Sequence, residues 1–474
     1  MRRTILASGN LLATGLLLAG CASFSADGGL AKVNALSSSA TGVTAVALRS
    51  EEAETSARAR VASLLRTPLT AERAAEIALL NNRELQAAYN QLGLSEAEAV
   101  EASLPPNPKF SISRLAGGGN YELEGRVVGN ILALATLPAT ADIAQDRFAQ
   151  AQFEAANTTL RIAADAKRAY YRAVGAQSLA DFLGKAQDSA QAAAQMSSRL
   201  AEGGNVNKLD QARNQVFYAE ISAQLATARL HATSEREALI RALGLWGGDL
   251  AFKLPASLPL PPRQPGQLPQ VEREAIARRL DLQIARLEVT ALAKSYGLTD
   301  ATRFLNLLEV AGVGKKMRDA GEKSRERGFE AEFEIPLFDF GQVASRKAEE
   351  RYMQAVNRLA AKAVNVRSEA REAYRGYRAR YDIAQHYQRE VMPLRKIISD
   401  ETLLRYNAMQ IDVFSLLEEA RQRISSTMSA IEAQRDFYLA QINLGTAILG
   451  GGAGATPSAE MTSAMAGGGE SAGH

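Results

Sequence analysis

The side chains that most often catalyse reactions or bind metals are few in this sequence and far apart. Of the three histidines, His231 and His386 lie in separate helical stretches, and His474 lies in a tail rich in glycine and serine. Cys21 is the only cysteine, which excludes an intrachain disulfide and a multi-thiolate site within one chain. No glycine-rich phosphate-binding motif is present. The sequence therefore predicts no catalytic residue, no metal site and no cofactor, and we expect that the protein is not an enzyme.

Charged side chains at every second position form the most regular chemical pattern. The stretch GFEAEFEIPL at 328–337 alternates glutamate with apolar residues, and residues 121–131 do the same with charged and apolar or glycine residues. Because side chains alternate between the two faces of a strand, each stretch predicts a strand with one apolar and one charged face. The charged positions are Glu122, Glu124, Arg126, Glu330, Glu332 and Glu334. They would make an acidic bore that favours cations if they line a pore, whereas contact with bulk water requires only polarity.

The N-terminus carries a targeting signal. Two arginines precede an apolar run at residues 5–18, and LAGC at 18–21 ends that run in small residues and Cys21. This looks like a bacterial lipoprotein signal, which implies that residues 1–20 are a signal peptide and that Cys21 becomes the acylated, palmitate-bearing first residue. Ala22 resembles the sorting pattern for the outer membrane. The alternative is an ordinary secretory leader with an incidental cysteine.

Composition and net charge limit the class of protein that the chain can be. The chain is 46% hydrophobic and 23% charged, with a mean hydropathy of −0.15, which suffices for a core but is too polar for a helical bundle in lipid. The formal net charge of +3 gives no reason to expect nucleic-acid binding. We predict an extended, lipidated N-terminal segment at 21–67 and a disordered tail at 450–474.

Between these ends the sequence is internally duplicated, because short motifs recur in the same order. RELQ at 83–86 recurs as LDLQ at 280–283, LP at 137–138 as IP at 335–336, and KLDQAR at 208–213 as LLEEAR at 416–421. We predict a first repeat at 68–248, a Pro-rich linker at 249–270 and a second repeat at 271–449. Each repeat contains a moderate helix, two strands and a long helical hairpin. In the second repeat we predict a strand at 303–313, a charged loop to Arg327 and a further strand within 328–337, with a bulge near Asn306 and Glu309 as one reading of the first strand.

Seven-residue spacing of apolar and small residues predicts very long coiled-coil helices. The spacing runs through about 139–200 in the first repeat and 356–398 in the second. A helix of about 60 residues is roughly 90 Å long, which exceeds the need of a globular domain. Pro393 predicts a kink late in the second helix. The fold class is therefore mixed and mainly α, with helical hairpins and four strands in each chain.

Four strands cannot close a barrel, whereas three chains would supply twelve. Several further motifs occur in order along the chain: LT at 69–70, AAEIALLNN at 74–82, EL at 84–85, LPPNP at 104–108, IPLFDFG at 335–341, and the turns at 203–213 and 406–421. By these motifs, residues 68–450 resemble the TolC-like outer membrane factors. The resemblance implies a homotrimer with a 12-stranded β-barrel in the outer membrane and a 12-helix α-barrel that extends into the periplasm. It also implies a periplasmic adaptor (membrane fusion) protein, an inner-membrane pump and outer-membrane lipid as partners.

By the same resemblance, the two helix turns form a periplasmic tip that narrows the closed tunnel. The candidate gate residues are Gly203, Gly204, Asp210, Met409, Asp412, Glu418 and Glu419. The acidic residues could form a ring that gates by charge, with Asp412 and Glu419 as favoured members. The alternatives are a plain helix hairpin, in which glycine only permits the turn, and a solvated helix face.

We therefore expect the exit duct of a tripartite efflux pump, lipid-anchored in the outer membrane and spanning it, which passively conducts small molecules or metal ions. One alternative is a duct for type I polypeptide secretion. The other is a periplasmic coiled-coil adaptor or scaffold, although such an adaptor usually has one helical hairpin rather than two.

Overall fold

The structure, a computed structural model, describes residues 23–204, 206–319 and 322–452. The predicted signal peptide, Cys21 and residues 453–474 of the predicted tail lie outside the described residues. The helices are α1 (Leu30–Thr41), α2 (Glu51–Leu65), α3 (Ala71–Asn81), α4 (Arg83–Ala102), α5 (Ile131–Glu202), α6 (Lys208–Leu243), α7 (Val271–Arg278), α8 (Leu280–Ala301), α9 (Gln342–His386), α10 (Met392–Asn407) and α11 (Val413–Leu449). The strands are β1 (Lys109–Gly117), β2 (Asn120–Asn130), β3 (Leu307–Asp319) and β4 (Glu322–Glu334).

The segment after the N-terminus is helical where we predicted an extended chain. Helices α1 and α2 occupy much of residues 21–67, so the prediction is wrong there. Ser50 begins α2, because its side chain accepts a hydrogen bond from the Ala53 amide at 3.2 Å. Val61 and Leu64 of α2 are buried. Alanine has a high helix propensity, so burial of a few apolar side chains is sufficient to stabilise helices in this alanine-rich segment.

The chain divides into two compact units. The first is made of the described parts of 1–33, 87–155 and 281–364, and it contains all four strands. The second is made of 34–86, 156–280 and the described residues after 364, and it contains both turns between long helices.

The sheet of the first unit is antiparallel with the order β1-β2-β3-β4. Its register runs without interruption, from Leu307 opposite Glu334 to Asp319 opposite Glu322 in the last pair of strands. The predicted charged loop therefore belongs to β3 and β4, and the bulge considered near Asn306 and Glu309 is absent from this register. The dense charges suggested a loop, but they too alternate between faces and are compatible with strands.

The core of the second unit is rich in aromatic side chains. Phe437 is fully buried, and the rings of Tyr171 and Tyr438 stack with centroids 4.5 Å apart. Burial raises the pKa of both tyrosines. The predicted linker at 249–270 lies against this core, where the Tyr381 hydroxyl donates to the Arg263 carbonyl at 2.7 Å. Hydrogen bonds from core side chains thus hold the linker in place.

The two strand-to-helix junctions differ. Asn130 ends β2 and immediately caps α5, since its side-chain oxygen accepts from the Ala133 amide at 2.8 Å. The helix therefore starts before the predicted 139 and contains Pro138. In the second repeat, Pro336 lies instead in the non-helical segment between β4 and α9. The motif match between 137–138 and 335–336 is a match in sequence and not in conformation.

A break in the helical hydrogen-bond pattern divides the long helix predicted through 398. A π-helical turn at Tyr387–Val391 separates α9 from α10, directly ahead of Pro393, where we predicted a kink. Proline has no amide hydrogen to donate to the preceding turn, which accounts for the break in the hydrogen-bond pattern. None of the helices in the described ranges combines the length and the apolar character that crossing a membrane requires.

Candidate functional site

The sheet register sorts the strand residues onto two chemically different faces. Directly opposed residues of antiparallel strands share a face, so the register assigns every side chain. One face, called here the acidic face, carries the acidic residues Glu122, Glu124, Glu309, Asp319, Glu322, Glu326, Glu330, Glu332 and Glu334 and the basic residues Lys109, Arg126 and Lys315. All six residues predicted to line a lumen therefore lie together on this face.

The basic side chains of the acidic face all have acidic partners. Lys109 Nζ lies 3.0 Å from Glu309, and Arg126 contacts Glu330. Lys315 contacts Glu122. The carboxylates outnumber these cations, so the face carries net negative charge. Glu309 also lies directly opposite a second glutamate, Glu332, an arrangement that needs water or cations nearby.

The other face of the sheet, called here the apolar face, is uncovered in the single chain. Its exposed large side chains are Phe110, Ile112, Val127, Val310, Phe329 and Phe333. Phe329 retains 84% of its accessible surface and Ile112 retains 81%. A contiguous apolar surface of this kind is typical of contact with lipid or with another protein.

The junction after β4 is sterically tight. Phe340 and Gly341 both have positive φ, at 50° and 73°. A Cβ added to Gly341 would collide with the Arg303 carbonyl oxygen, so both the positive φ and the lack of space require glycine here. The Asp339 side chain accepts a hydrogen bond from the Gly341 amide at 3.1 Å. The predicted family motif at 335–341 is thus a compact turn from strand to helix.

The first helix turn joins α5 to α6. Gly204 has φ of 74°, and Gly203 precedes it at the end of α5. Asn207 caps α6, because its side chain accepts from the Asp210 amide at 2.8 Å. Asp210 in turn contacts Arg213 at 3.2 Å. Gly204 thus adopts a positive φ that glycine favours, and Asp210 has local partners.

The second helix turn joins α10 to α11. Met409 has φ of 59° and is 94% exposed. Asp412 caps α11, since one carboxylate oxygen accepts from the amide and the hydroxyl of Ser415, at 2.9 and 2.7 Å. These hydrogen bonds, with a smaller contribution from Arg213, lower the pKa of Asp412. Asp412 therefore has a structural role as a helix cap.

The structure brings the two helix turns together. The Arg213 guanidinium lies 5.0 Å from the ring centroid of Phe414, and Arg421 pairs with Glu220 at 3.0 Å. Phe217 and Leu417 are buried together in a small core near this contact. Motifs that lie about 200 residues apart in the sequence thus form one surface.

Glu418 and Glu419 differ in their surroundings. Glu418 accepts from the Gln422 side chain at 3.1 Å on the same helix. The Glu419 side chain is only 10% exposed and pairs with Arg395 of α10 at 3.2 Å. The other oxygen of Glu419, Oε1, has no hydrogen-bond partner among the described residues. Sequence reasoning missed Arg395, because no local signal aligns α10 with α11.

Metal ligation was the other kind of site considered from the sequence. Within the described ranges, no group of three or more His, Cys, Asp and Glu side chains could hold a metal ion. The described residues offer an acidic surface, an apolar surface and a pair of helix turns that lie side by side.

Comparison with known proteins agrees with this geometry. Residues 271–451 match the family model for the outer membrane efflux protein. The sequence matches no curated protein. The solved structure of CusC, a protein that changes conformation as it folds and forms a transmembrane channel, is similar with a TM-score of 0.67 at 17% identity, over 80% of this chain and 92% of that one.

Two further outer membrane channels have the same fold. The Campylobacter jejuni CmeC channel aligns with a TM-score of 0.68 at 16% identity, over 80% of this chain and 85% of that one. The Neisseria gonorrhoeae MtrE channel in its open state aligns with a TM-score of 0.65 at 15% identity, over 80% and 88%. These relatives are channels and not enzymes. The family model thus matches the segment 271–451, and the solved structures, at 15–17% identity, show that the chain has the fold of these outer membrane channels.

Proposed function

We propose that three copies of this chain form the exit duct of a tripartite efflux pump in the outer membrane. The observation that carries the proposal is the sheet, which has an uncovered apolar face, an acidic face and two unpaired edges at β1 and β4 among the described residues. Open sheet edges are not tolerated in lipid, so the edges need partners from other copies. Three sheets supply twelve strands, enough for a closed barrel.

In this arrangement the apolar face contacts lipid and the acidic face lines the bore. The strands are 9 to 13 residues long, which suits an outer-membrane barrel. A net negative bore favours cations and neutral molecules over anions. The substrates are accordingly small molecules or metal ions, with the energy supplied by an inner-membrane pump that acts through a periplasmic adaptor.

The two helix turns form the periplasmic tip in this proposal. Exposed side chains there, including Met409 and Leu404, offer apolar contacts to an adaptor. The paired Arg395 and Glu419 hold α10 against α11 in each chain, and the carboxylates of Asp210 and Glu418 stay accessible enough to contribute to a charged constriction. Glu419 thus acts as a contact within the hairpin rather than as a member of an open acidic ring.

The proposal keeps Cys21 as a lipid anchor. The described chain begins two residues later, and Ser25 donates from its amide to the Glu96 carboxylate at 2.7 Å. Glu96 is 7% exposed. Anchoring the chain so soon after the cysteine would hold the acyl chains beside α4. Substitution of Cys21 by alanine should abolish incorporation of radiolabelled palmitate into the protein while the helical hairpins still fold.

Membrane fractionation tests the duct directly. The full chain, expressed with its own leader, should be recovered in the outer membrane as a trimer that dissociates only on heating in detergent. The purified trimer should then give discrete conductance steps in a planar bilayer. Recovery as a soluble monomer without conductance would refute the proposal.

Charge selectivity tests the assignment of the acidic face. Replacing Glu330, Glu332 and Glu334 with glutamine halves the net negative charge of that face, and it should lower the permeability ratio of K⁺ to Cl⁻ by on the order of twofold. Reversal potentials in a salt gradient measure this ratio. The matched control replaces three exposed helix glutamates with glutamine, namely Glu51, Glu52 and Glu98. Equal effects of the two triple substitutions would contradict the assignment.

A further inference from the structure

The apolar face of the sheet changes character near the strand tips. Six basic residues, called here the cationic band, follow the apolar residues on this face: Arg114, Lys316, Arg318, Lys323, Arg325 and Arg327. The register places Lys316 directly between Arg325 of β4 and Leu123 of β2. Leu123 in turn lies opposite Arg114 of β1, so the band crosses the whole sheet.

The cationic band lacks counter-charges within the chain. None of its six side chains forms an ion pair or a side-chain hydrogen bond with another residue of the described ranges, and no acidic residue of the described strands lies on its face. On the acidic face, by contrast, every basic side chain has a carboxylate partner. The chain therefore separates its unpaired cations from its carboxylates by the thickness of one sheet, which leaves the band available to an external anion.

The neighbouring surface indicates what kind of anion fits. Phe329 lies four residues along β4 from Arg325, or about 13 Å, on the same face. A ligand that spans this distance must be anionic at one end and apolar at the other. A lipid with a phosphate-bearing head group has this form, and membrane-surface phosphates attract arginine and lysine.

A strip of glycines provides a place for the apolar end. Gly125 and Gly314 are register partners in β2 and β3, and Gly312 lies two residues further along the same face. A Cβ added to any of the three would meet nothing within 4 Å, so packing within the chain does not require glycine there. Glycine in a strand often marks a site where a ligand approaches the backbone closely. Together Gly125, Gly312 and Gly314 form a trough, called here the glycine trough, between Arg327 and Ile112.

We propose that the cationic band and the glycine trough bind a phosphate-bearing lipid of the outer membrane leaflet. The head-group phosphates contact Lys316, Arg325 and Arg327, and an acyl chain lies in the trough. The inference rests on the proposed function, because it requires the apolar face to contact lipid. The glycine trough favours a lipid as the ligand, because a free phosphate has no acyl chain and would contact only the cationic band.

The test uses the full-length trimer purified in a neutral detergent. Binding of diphosphorylated lipid A is measured by native mass spectrometry, alongside the same lipid stripped of its phosphates, with inorganic pyrophosphate as a competitor. We expect the wild type to retain lipid A and to bind the phosphate-free lipid at least tenfold more weakly. The triple substitution Lys316→Gln, Arg325→Gln and Arg327→Gln should weaken lipid A binding about 100-fold, from roughly a factor of five for each cation.

Two further variants separate the band from the trough. The matched control Arg49→Gln, Arg66→Gln and Arg229→Gln removes the same charge from exposed helix or loop positions, and it should leave lipid binding unchanged. Gly314→Val fills the trough without removing charge, and we expect weaker lipid A binding with unchanged pyrophosphate competition. Equal retention of lipid A by the wild type and the triple variant would overturn the proposal, as would full displacement by equimolar pyrophosphate, which would indicate a free-anion site.

Conductance in a bilayer of phosphatidylcholine distinguishes this inference from the proposed function. If the wild-type trimer conducts but binds both forms of lipid A equally, the result supports the duct and contradicts the lipid site. A wild-type chain that neither conducts nor reaches the outer membrane contradicts the duct, and the lipid site is then contradicted with it.

Discussion

Breaking the contact between Arg395 and Glu419 should loosen the second helical hairpin locally. Arg395 donates to Glu419 at 3.2 Å, to Gln422 at 2.8 Å and to Ser426 at 3.1 Å, so one side chain joins α10 to three positions of α11. The substitution Arg395→Met keeps the apolar stem and removes all three hydrogen bonds. Glu419, already without a partner at Oε1, would then have no partner at either oxygen.

The free-energy cost of losing these hydrogen bonds depends on the burial and the charge of the two side chains. A hydrogen bond to a charged group contributes about 1.5–3 kcal/mol, and the 24% exposure of Arg395 argues for the middle of that range. We therefore expect local opening to become easier by about 2 kcal/mol, which is roughly a 30-fold increase in the opening equilibrium. Adding Glu419→Gln to Arg395→Met removes the unpaired carboxylate and should recover part of the lost stability. The opening equilibrium of the double variant should then exceed that of the wild type on the order of fivefold.

Amide hydrogen exchange of peptides from residues 392–426 measures the opening. Lys396→Met is the matched control, since Lys396 is the next residue of α10, is exposed and has the same charge. Exchange should accelerate in Arg395→Met and stay close to wild type in Lys396→Met. The reasoning is refuted if the two variants exchange alike, or if Glu419→Gln adds a further loss to Arg395→Met.

Two other predictions address single positions. Gly341→Ala should abolish recovery of the proposed trimer, because the new Cβ would collide with the Arg303 carbonyl. A Cβ at Gly328 meets nothing within 4 Å, so Gly328→Ala should leave the proposed trimer intact on unheated gels. Asp412 has a lowered pKa in the folded chain, so its contribution to the α11 cap is present above the unfolded pKa and is lost as pH falls through the folded pKa. Pepsin cleavage next to Phe414 should therefore rise in the wild type relative to Asp412→Asn as the medium is acidified below about pH 4. A constant ratio of the two cleavage rates would contradict this role of the cap.

Features with a local and periodic origin could be predicted from the sequence. Alternation at 121–131 and 328–335 predicted strands, and glycine and asparagine marked both helix turns. The assignment of Glu122 and Glu330 to one face required only the period of two and an antiparallel register.

Other features depend on contacts that the sequence does not align. Helices α1 and α2 have weak apolar periodicity, so their composition alone suggested an extended chain. Arg395 and Glu419 lie 24 residues apart on different helices, and their meeting depends on how the hairpin closes. Asp412 stood out as an acidic residue at a turn, but its use as a cap became visible only from the Ser415 hydrogen bonds.

The charge separation in the sheet also protects the chain from mispairing. A shift of β4 by one residue against β3 would move Glu330 and Glu332 among the apolar side chains and turn Arg325 toward the carboxylates. A hairpin misaligned by one residue, or by any odd number, therefore places charged side chains among apolar ones. Selection of the correct alignment is consequently built into each hairpin and needs no contact with another chain.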